Sequence, residues 1–327
     1  MAGNPSPAPA AGHAGARGRH PVGTLAARIA SLQGLSGFDF TGDLFPAVGS
    51  ATTIEWFMAA TLQQFGFWYE RDGRHAGPML ATIDGQERKG SDYLWAHFLR
   101  WAMHDPAVLG AAGQAAVDLP AWLAAAADDA GADPYPESGL CVGLARAYGA
   151  SLGELGLSPA KLVSAAAATP RPMRSLLRLL DHVGGYREDP LRKKAALLGV
   201  IVRQRPEHWL PNAERDDAPP IVDYHVQRTC LRTGIVHVDD DRLRVRLAGR
   251  TVLQPDEEAA IRRAAFTAVA QLAERSGRDM GTVDWFLFQM RHRCPEMTTP
   301  RCDECPALGA CARRTDLFQP VLRTTFY

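Results

Sequence analysis

Four cysteines crowd into 18 residues near the C-terminus: Cys294, Cys302, Cys305 and Cys311, spaced C-x7-C-x2-C-x5-C. Thiolates are soft ligands, and four this close can wrap one tetrahedral metal or one cubane cluster. The loops between them are short, so the sulfurs converge at little closure cost. Pro295, Pro300 and Pro306 suit a tightly wrapped loop rather than a helix or strand. Structural zinc sites more often show two C-x2-C knuckles or a Cys/His mixture, and here there is one knuckle, so a [4Fe-4S] cluster is expected ahead of zinc. Cys141 and Cys230 lie in apolar helical contexts. They read as buried free thiols, which fits a reducing cytoplasm.

Bulk properties narrow the partners. The 327 residues are 46% hydrophobic, enough for a sizeable core. The 36 basic and 36 acidic residues cancel, which argues against a protein held to nucleic acid mainly by a broad positive field. A local patch remains open at Arg291, His292, Arg293, Arg301, Arg313 and Arg314, read otherwise as a solvated rim balanced by Glu296, Asp303 and Glu304. Residues 1–22 are rich in Ala, Gly and Pro and read as a disordered tail. No run approaches the roughly 18 apolar residues of a membrane span, so no membrane partner is expected.

Periodicity predicts a mainly α chain with one minor sheet. Glu55 to Phe65 is a helix candidate. Phe67 to Tyr69, Met79 to Ile83 and Glu87-Arg88 suggest a strand meander, with Asp72-Gly73 and Asp84-Gly85 as turns. Ser91 is suited to cap a helix through Met103. Residues 107–170 are helical in pieces, broken at Pro120, Pro134 to Pro136 and Pro159. Pro190 is placed to open a helix running to Val202, and Asp223 to open another ending near Gly234. Val236 to Leu247 looks partly extended. Pro255 with three following acids is a strong helix start, and a last helix holds Asp284 to Phe288. The expected division is a tail at 1–22, a helical part with a small sheet at 23–187, a catalytic part at 188–293 and the cysteine loop with its terminal segment at 294–327.

Residues 219–234 carry the chemistry. The run Val222-Asp223-Tyr224-His225-Val226, followed by Arg228, resembles the catalytic-aspartate segment of the helix-hairpin-helix base-excision glycosylases. The cysteine quartet resembles the cluster loop of endonuclease III, whose first spacing is one residue shorter. From Phe57 to Tyr327 the chain also resembles the queuosine salvage proteins, N-glycosidases of related fold. The shared pieces are collinear: Thr61-Leu62 with Phe67-Trp68, the Gly85 to Gly90 turn, Lys193-Lys194-Ala195, Val222-Asp223-Tyr224, Asp284-Trp285-Phe286-Leu287 and Tyr327.

These resemblances imply a two-lobed glycosylase-like fold and release of a 7-deazaguanine base from a nucleoside or its 5′-monophosphate. Asp223 takes the place of the family's essential aspartate. A carboxylate suits that work because it stabilises positive charge on the sugar and orients or deprotonates the attacking water. A helix cap is the plainer use of the same residue. Lys193 matches the family's lysine and is open between neutralising a substrate phosphate, acting as a Schiff-base nucleophile and lying on a solvated helix face, which is the plainer place for Lys194. Phe67 and Trp68 are candidates to stack on the base, and Tyr224, Asp284 and Trp285 to contact substrate. His225 is expected as a buried, hydrogen-bonded structural histidine.

The DNA-binding relatives carry a Gly-rich hairpin whose amides hold a phosphate. Between Lys193 and Asp223 no G-x-G occurs. Familiar queuosine salvage proteins, for their part, lack the cysteines. The expected activity is therefore a small-molecule N-glycosidase. An iron–sulfur DNA glycosylase is the alternative, and a non-catalytic nucleotide-binding module the second.

Overall fold

The computed structural model of the protein describes residues 21–327. The expected tail lies outside these residues, except that Pro21 and Val22 open the first helix. Thirteen α-helices occur among the described residues. They are α1 Pro21–Ser31, α2 Thr53–Leu62, α3 Ser91–His104, α4 Ala111–Ala116, α5 Leu119–Ala126, α6 Ser138–Leu155 and α7 Pro159–Ala167. The remainder are α8 Pro172–Leu180, α9 Lys193–Gln204, α10 Tyr224–Thr233, α11 Asp241–Ala248, α12 Pro255–Ser276 and α13 Met280–Gln289. No helix among the described residues is long and apolar enough to cross a membrane.

Four strands separate α2 from α3: β1 Trp68–Arg71, β2 Arg74–Pro78, β3 Leu80–Ile83 and β4 Gln86–Lys89. They form two antiparallel hairpins rather than one meander. Asp72-Gly73 and Asp84-Gly85 hold positive φ at both positions, the two-residue turn that matches strand twist. β2, whose Arg-His-Ala-Gly-Pro sequence has little strand character, was not foreseen. It forms because a tight turn folds it back on β1, and Pro78 is its last residue.

Cap chemistry sets most helix ends. Asp223 precedes α10 and accepts from Val226 N at 2.8 Å, and Gly234 ends the helix at φ 80°. At the start of α12, Glu257 accepts from Gln254 N at 2.8 Å. Four expectations shift. Ser91 is the first residue of α3 and makes no cap bond. Pro120 and Pro159 sit in the first turns of α5 and α7, where a missing N–H costs nothing, so they start helices rather than break them. The alternating Leu243, Val245 and Leu247 belong to α11, nucleated by Asp240 accepting from Arg242 N and Leu243 N. The helix expected from Pro190 begins at Lys193, because Arg192 is left-handed at φ 56° and Asp189 caps from four residues upstream, accepting from Lys193 N at 2.7 Å.

One apolar cluster runs from Val22 to Leu317, so helices from both sides of residue 187 share a core. In it α1 packs on α12, α2 on α9, and α10 on both α12 and α13. Fully burying side chains such as Trp56, Phe57 and Trp122 contributes roughly 1.5–3 kcal/mol each. A second small cluster joins Trp68 and Tyr224 to Phe318, Val321 and Tyr327. It docks the terminal segment beside α10.

Candidate functional site

A cavity of about 310 Å³ opens where the N-termini of α9 and α10 meet α13. Lys193, Asp223 and Asp284 all line it. Asp223 has Oδ1 fixed by the Val226 amide, and the carboxylate stays partly accessible. Lys193 is buried, and its Nζ donates to the Gln64 carbonyl at 3.0 Å. Burial pulls this ammonium below its ordinary value, against the charges of Asp223 and Asp284, which favour the proton. Asp284 lines the cavity and is partly accessible from it, with protein packed around the rest of the side chain. Burial, reinforced by the Asp223 charge, pushes its carboxyl well above the usual range, opposed by Lys193. The cavity therefore holds a fixed carboxylate, a carboxyl that tends to keep its proton and a desolvated amine. That set can stabilise a cation, steer a water molecule or attack a carbon electrophile.

The walls are aromatic. Phe67, Tyr224 and Trp285 line the cavity as expected. Trp68 does not reach it. Its ring stacks on His75 with centroids 5.5 Å apart, and the Arg323 guanidinium covers it at 4.0 Å. A tight turn explains this: Trp68 N donates to the Gly66 carbonyl at 2.8 Å, which makes Phe67 the centre of a three-residue turn just before β1 and separates the two rings. One face of Trp285 is already occupied by Phe38, stacked at 4.4 Å and 12°.

Phe38 belongs to the irregular stretch 32–52, which also supplies Phe40, Leu44 and Phe45 to the wall. Fully buried Arg205 pins that stretch by donating to the carbonyls of Phe40 and Pro46. Nothing periodic marks it, and only its spacing of aromatics hints at a wall.

A buried charged group forms one side. Glu296, expected on a solvated rim, is 2% exposed and lines the cavity. Lys89 pairs with it, Gln319 Nε2 donates to it at 3.0 Å, and Arg228 Nη1 stands 3.8 Å away. His75 at 3.6 Å is too far for a hydrogen bond. Burial alone would raise the Glu296 carboxyl, but the donors and charges around it, Arg228 and Lys89 among them, hold it well below the usual range. His225 is buried and hydrogen-bonded, and its ring also lines the cavity. Lys194, the other residue read as facing solvent, is 2% exposed and donates to the Leu62 carbonyl at 2.9 Å.

The four cysteines line a second, far smaller pocket of about 20 Å³. All are free thiols of intermediate exposure. Arg232 Nη1 donates to Cys294 Sγ at 3.2 Å, and the Arg313 amide to Cys311 Sγ at 3.3 Å. Burial pushes the Cys305 and Cys311 thiols up, and the neighbouring sulfurs add to it. Among the described residues no three His, Cys, Asp or Glu side chains are drawn together as a single metal ion requires. Around the pocket Arg293 and Arg301 pair with Glu304 and Arg313 with Asp303, while Arg291 lies over the Phe288 ring at 3.7 Å.

Compared with known proteins, the chain matches no family model and no curated protein.

Proposed function

We propose that the chain is an N-glycosidase that hydrolyses the base–sugar bond of a 7-deazaguanine nucleoside or its 5′-monophosphate. The observation that carries this reading is the convergence of Asp223, Lys193 and Asp284 on one aromatic-walled cavity. Each was singled out from a separate segment of sequence. The volume, about 310 Å³, matches the low end of small-molecule sites.

In this reading Asp223, held by the Val226 amide, faces the sugar and stabilises the cation that grows as the bond breaks. It also orients the attacking water. Asp284 and the aromatic wall contact the base. Lys193 is held by the Gln64 carbonyl, which favours a fixed point charge over a mobile nucleophile. DNA binding draws little support, because the arginines beside the cysteines are largely paired with Glu304 and Asp303.

We infer that Cys294, Cys302, Cys305 and Cys311 hold a [4Fe-4S] cluster. All four line one pocket, and the sequence holds a single C-x2-C knuckle where structural zinc sites more often hold two. The group would supply cross-linking rather than chemistry. Arg232 and the amides of Ala312 and Arg314 tie the loop to the end of α10.

Incubation with a panel of deazaguanine nucleosides and monophosphates, followed by mass spectrometry, tests the activity. Free base is expected. No product from any member at any pH from about 5 to 9 would overturn the reading.

A further inference from the structure

We propose that His225 is a substrate contact that donates from Nε2 into the cavity, and that Arg228 and Glu296 are the positioning residues that fix it in that form. The inference rests on the glycosidase reading for the identity of the ligand. It rests on geometry for the residue.

Arg228 Nη2 lies 3.1 Å from His225 Nδ1. A guanidinium has only donors, so Nδ1 must accept and the ring proton must sit on Nε2. The same arginine is held from behind. Its Nη1 donates to Gln319 Oε1 at 2.8 Å and stands 3.8 Å from the Glu296 carboxylate. Glu296 thus lets a buried guanidinium exist at this place, and the guanidinium selects the tautomer.

Tyr224 at 4.2 Å and Phe288 at 5.9 Å, measured between ring centroids, confine the imidazole. Among the described residues no protein acceptor takes Nε2–H, and the ring lines the cavity. The unfilled donor therefore faces ligand space, two positions along α10 from Asp223.

This arrangement supplies a hydrogen bond and not a proton. Burial, with Arg228, Arg291 and Lys89 nearby, pulls the imidazole well below its ordinary value, against the opposing charge of Glu296. A neutral ring with a guanidinium on Nδ1 cannot cycle through imidazolium. When the glycosidic bond breaks, its electron pair stays on the base, and a fixed donor beside the base stabilises that charge. The proton remains on Nε2 throughout; the attacking water gives its oxygen to the sugar, and the proton that water loses neutralises the base. The ligand class this selects is a heterocyclic leaving group with a ring or exocyclic acceptor next to the cleaved bond.

The test uses the full chain, queuosine 5′-monophosphate as probe and two readouts. Nitrogen-15 NMR of the histidine rings is expected to show His225 as the neutral Nε2–H tautomer. H225F, which keeps an aromatic ring and removes the donor, is expected to lower kcat about tenfold with little change in KM. E296Q is expected to lower kcat and broaden or shift the His225 signal. An Nδ1–H or doubly protonated His225 would overturn the proposal even if H225F fails to fold. So would a folded H225F with the wild-type kcat. Wild-type protein that releases no base from this probe or from any other deazaguanine nucleoside or monophosphate would overturn the glycosidase reading itself, and with it the ligand assigned to His225.

Discussion

Arg262 grips Asp189 through two hydrogen bonds of 2.7 Å, and both side chains are almost fully buried. The pair ties together two backbone points next to cavity residues. Asp189 accepts from the Lys193 amide at 2.7 Å, and Arg262 Nε donates to the Val222 carbonyl at 3.2 Å, next to Asp223. The first residue of α9 and the cap of α10 are thereby fixed to one guanidinium on α12. Removing one partner strands a buried charge, so R262A should lose about 3–5 kcal/mol in denaturant unfolding. Burial would raise the Asp189 carboxyl, but the Arg262 contacts and two amides hold it below its usual value. That contribution is full above about pH 4 and disappears as acid protonates the group, so the difference between wild type and R262A should shrink below that pH.

Lys194 points the other way. Burial, and then the charge of Lys193, lower its ammonium to about 7. The unfolded lysine titrates near 10.4, so between about pH 7 and 10 the unfolded chain binds the extra proton and stability rises with pH. K194M removes this term. Its melting temperature should exceed that of wild type at pH 6.5, and the gap should narrow toward pH 10. A constant gap would show that Lys194 is not the group responsible.

Phe38 lines the cavity and stacks on Trp285 at 4.4 Å. Such a stack contributes about 0.5–1.5 kcal/mol beyond area burial. F38A should therefore raise KM several-fold while leaving kcat near wild type, measured by steady-state release of base. A fall in kcat alone would place Phe38 outside substrate retention.

The cysteine loop leads directly into the cavity wall, since Glu296 lies two residues beyond Cys294. On the proposed cluster reading, wild-type protein should be brown with about four irons per chain, and C302S should lose both. It should also melt earlier, as should protein grown without iron. A colourless variant with unchanged melting would remove the loop's supporting role.

Local chemistry made much of this legible in the sequence. The Asp223 cap, Gly234 stop, Pro255 start and both Asp-Gly turns follow from rules that act within a few residues, and each appears where expected. The contacts that build the cavity are not local. Lys193 finds its acceptor 129 positions away, Arg262 reaches back 73, and Gln319 meets Glu296 across 23. No period or spacing encodes them. Lys194 and Glu296 were read as solvent-facing because charged residues are seldom buried, and both are buried because partners arrive from distant segments. Trp68 beside Phe67 is an aromatic pair in sequence, and the tight turn centred on Phe67 sends the two rings to different clusters.

Asp223→Asn tests the central claim most directly, because the amide keeps the size of the side chain and a carbonyl for the Val226 N–H. With queuosine 5′-monophosphate and matched folded protein, release of free queuine should fall at least about a thousandfold while the melting temperature moves by no more than a few degrees. Turnover by the variant at the wild-type rate would contradict a role for Asp223 in breaking the bond.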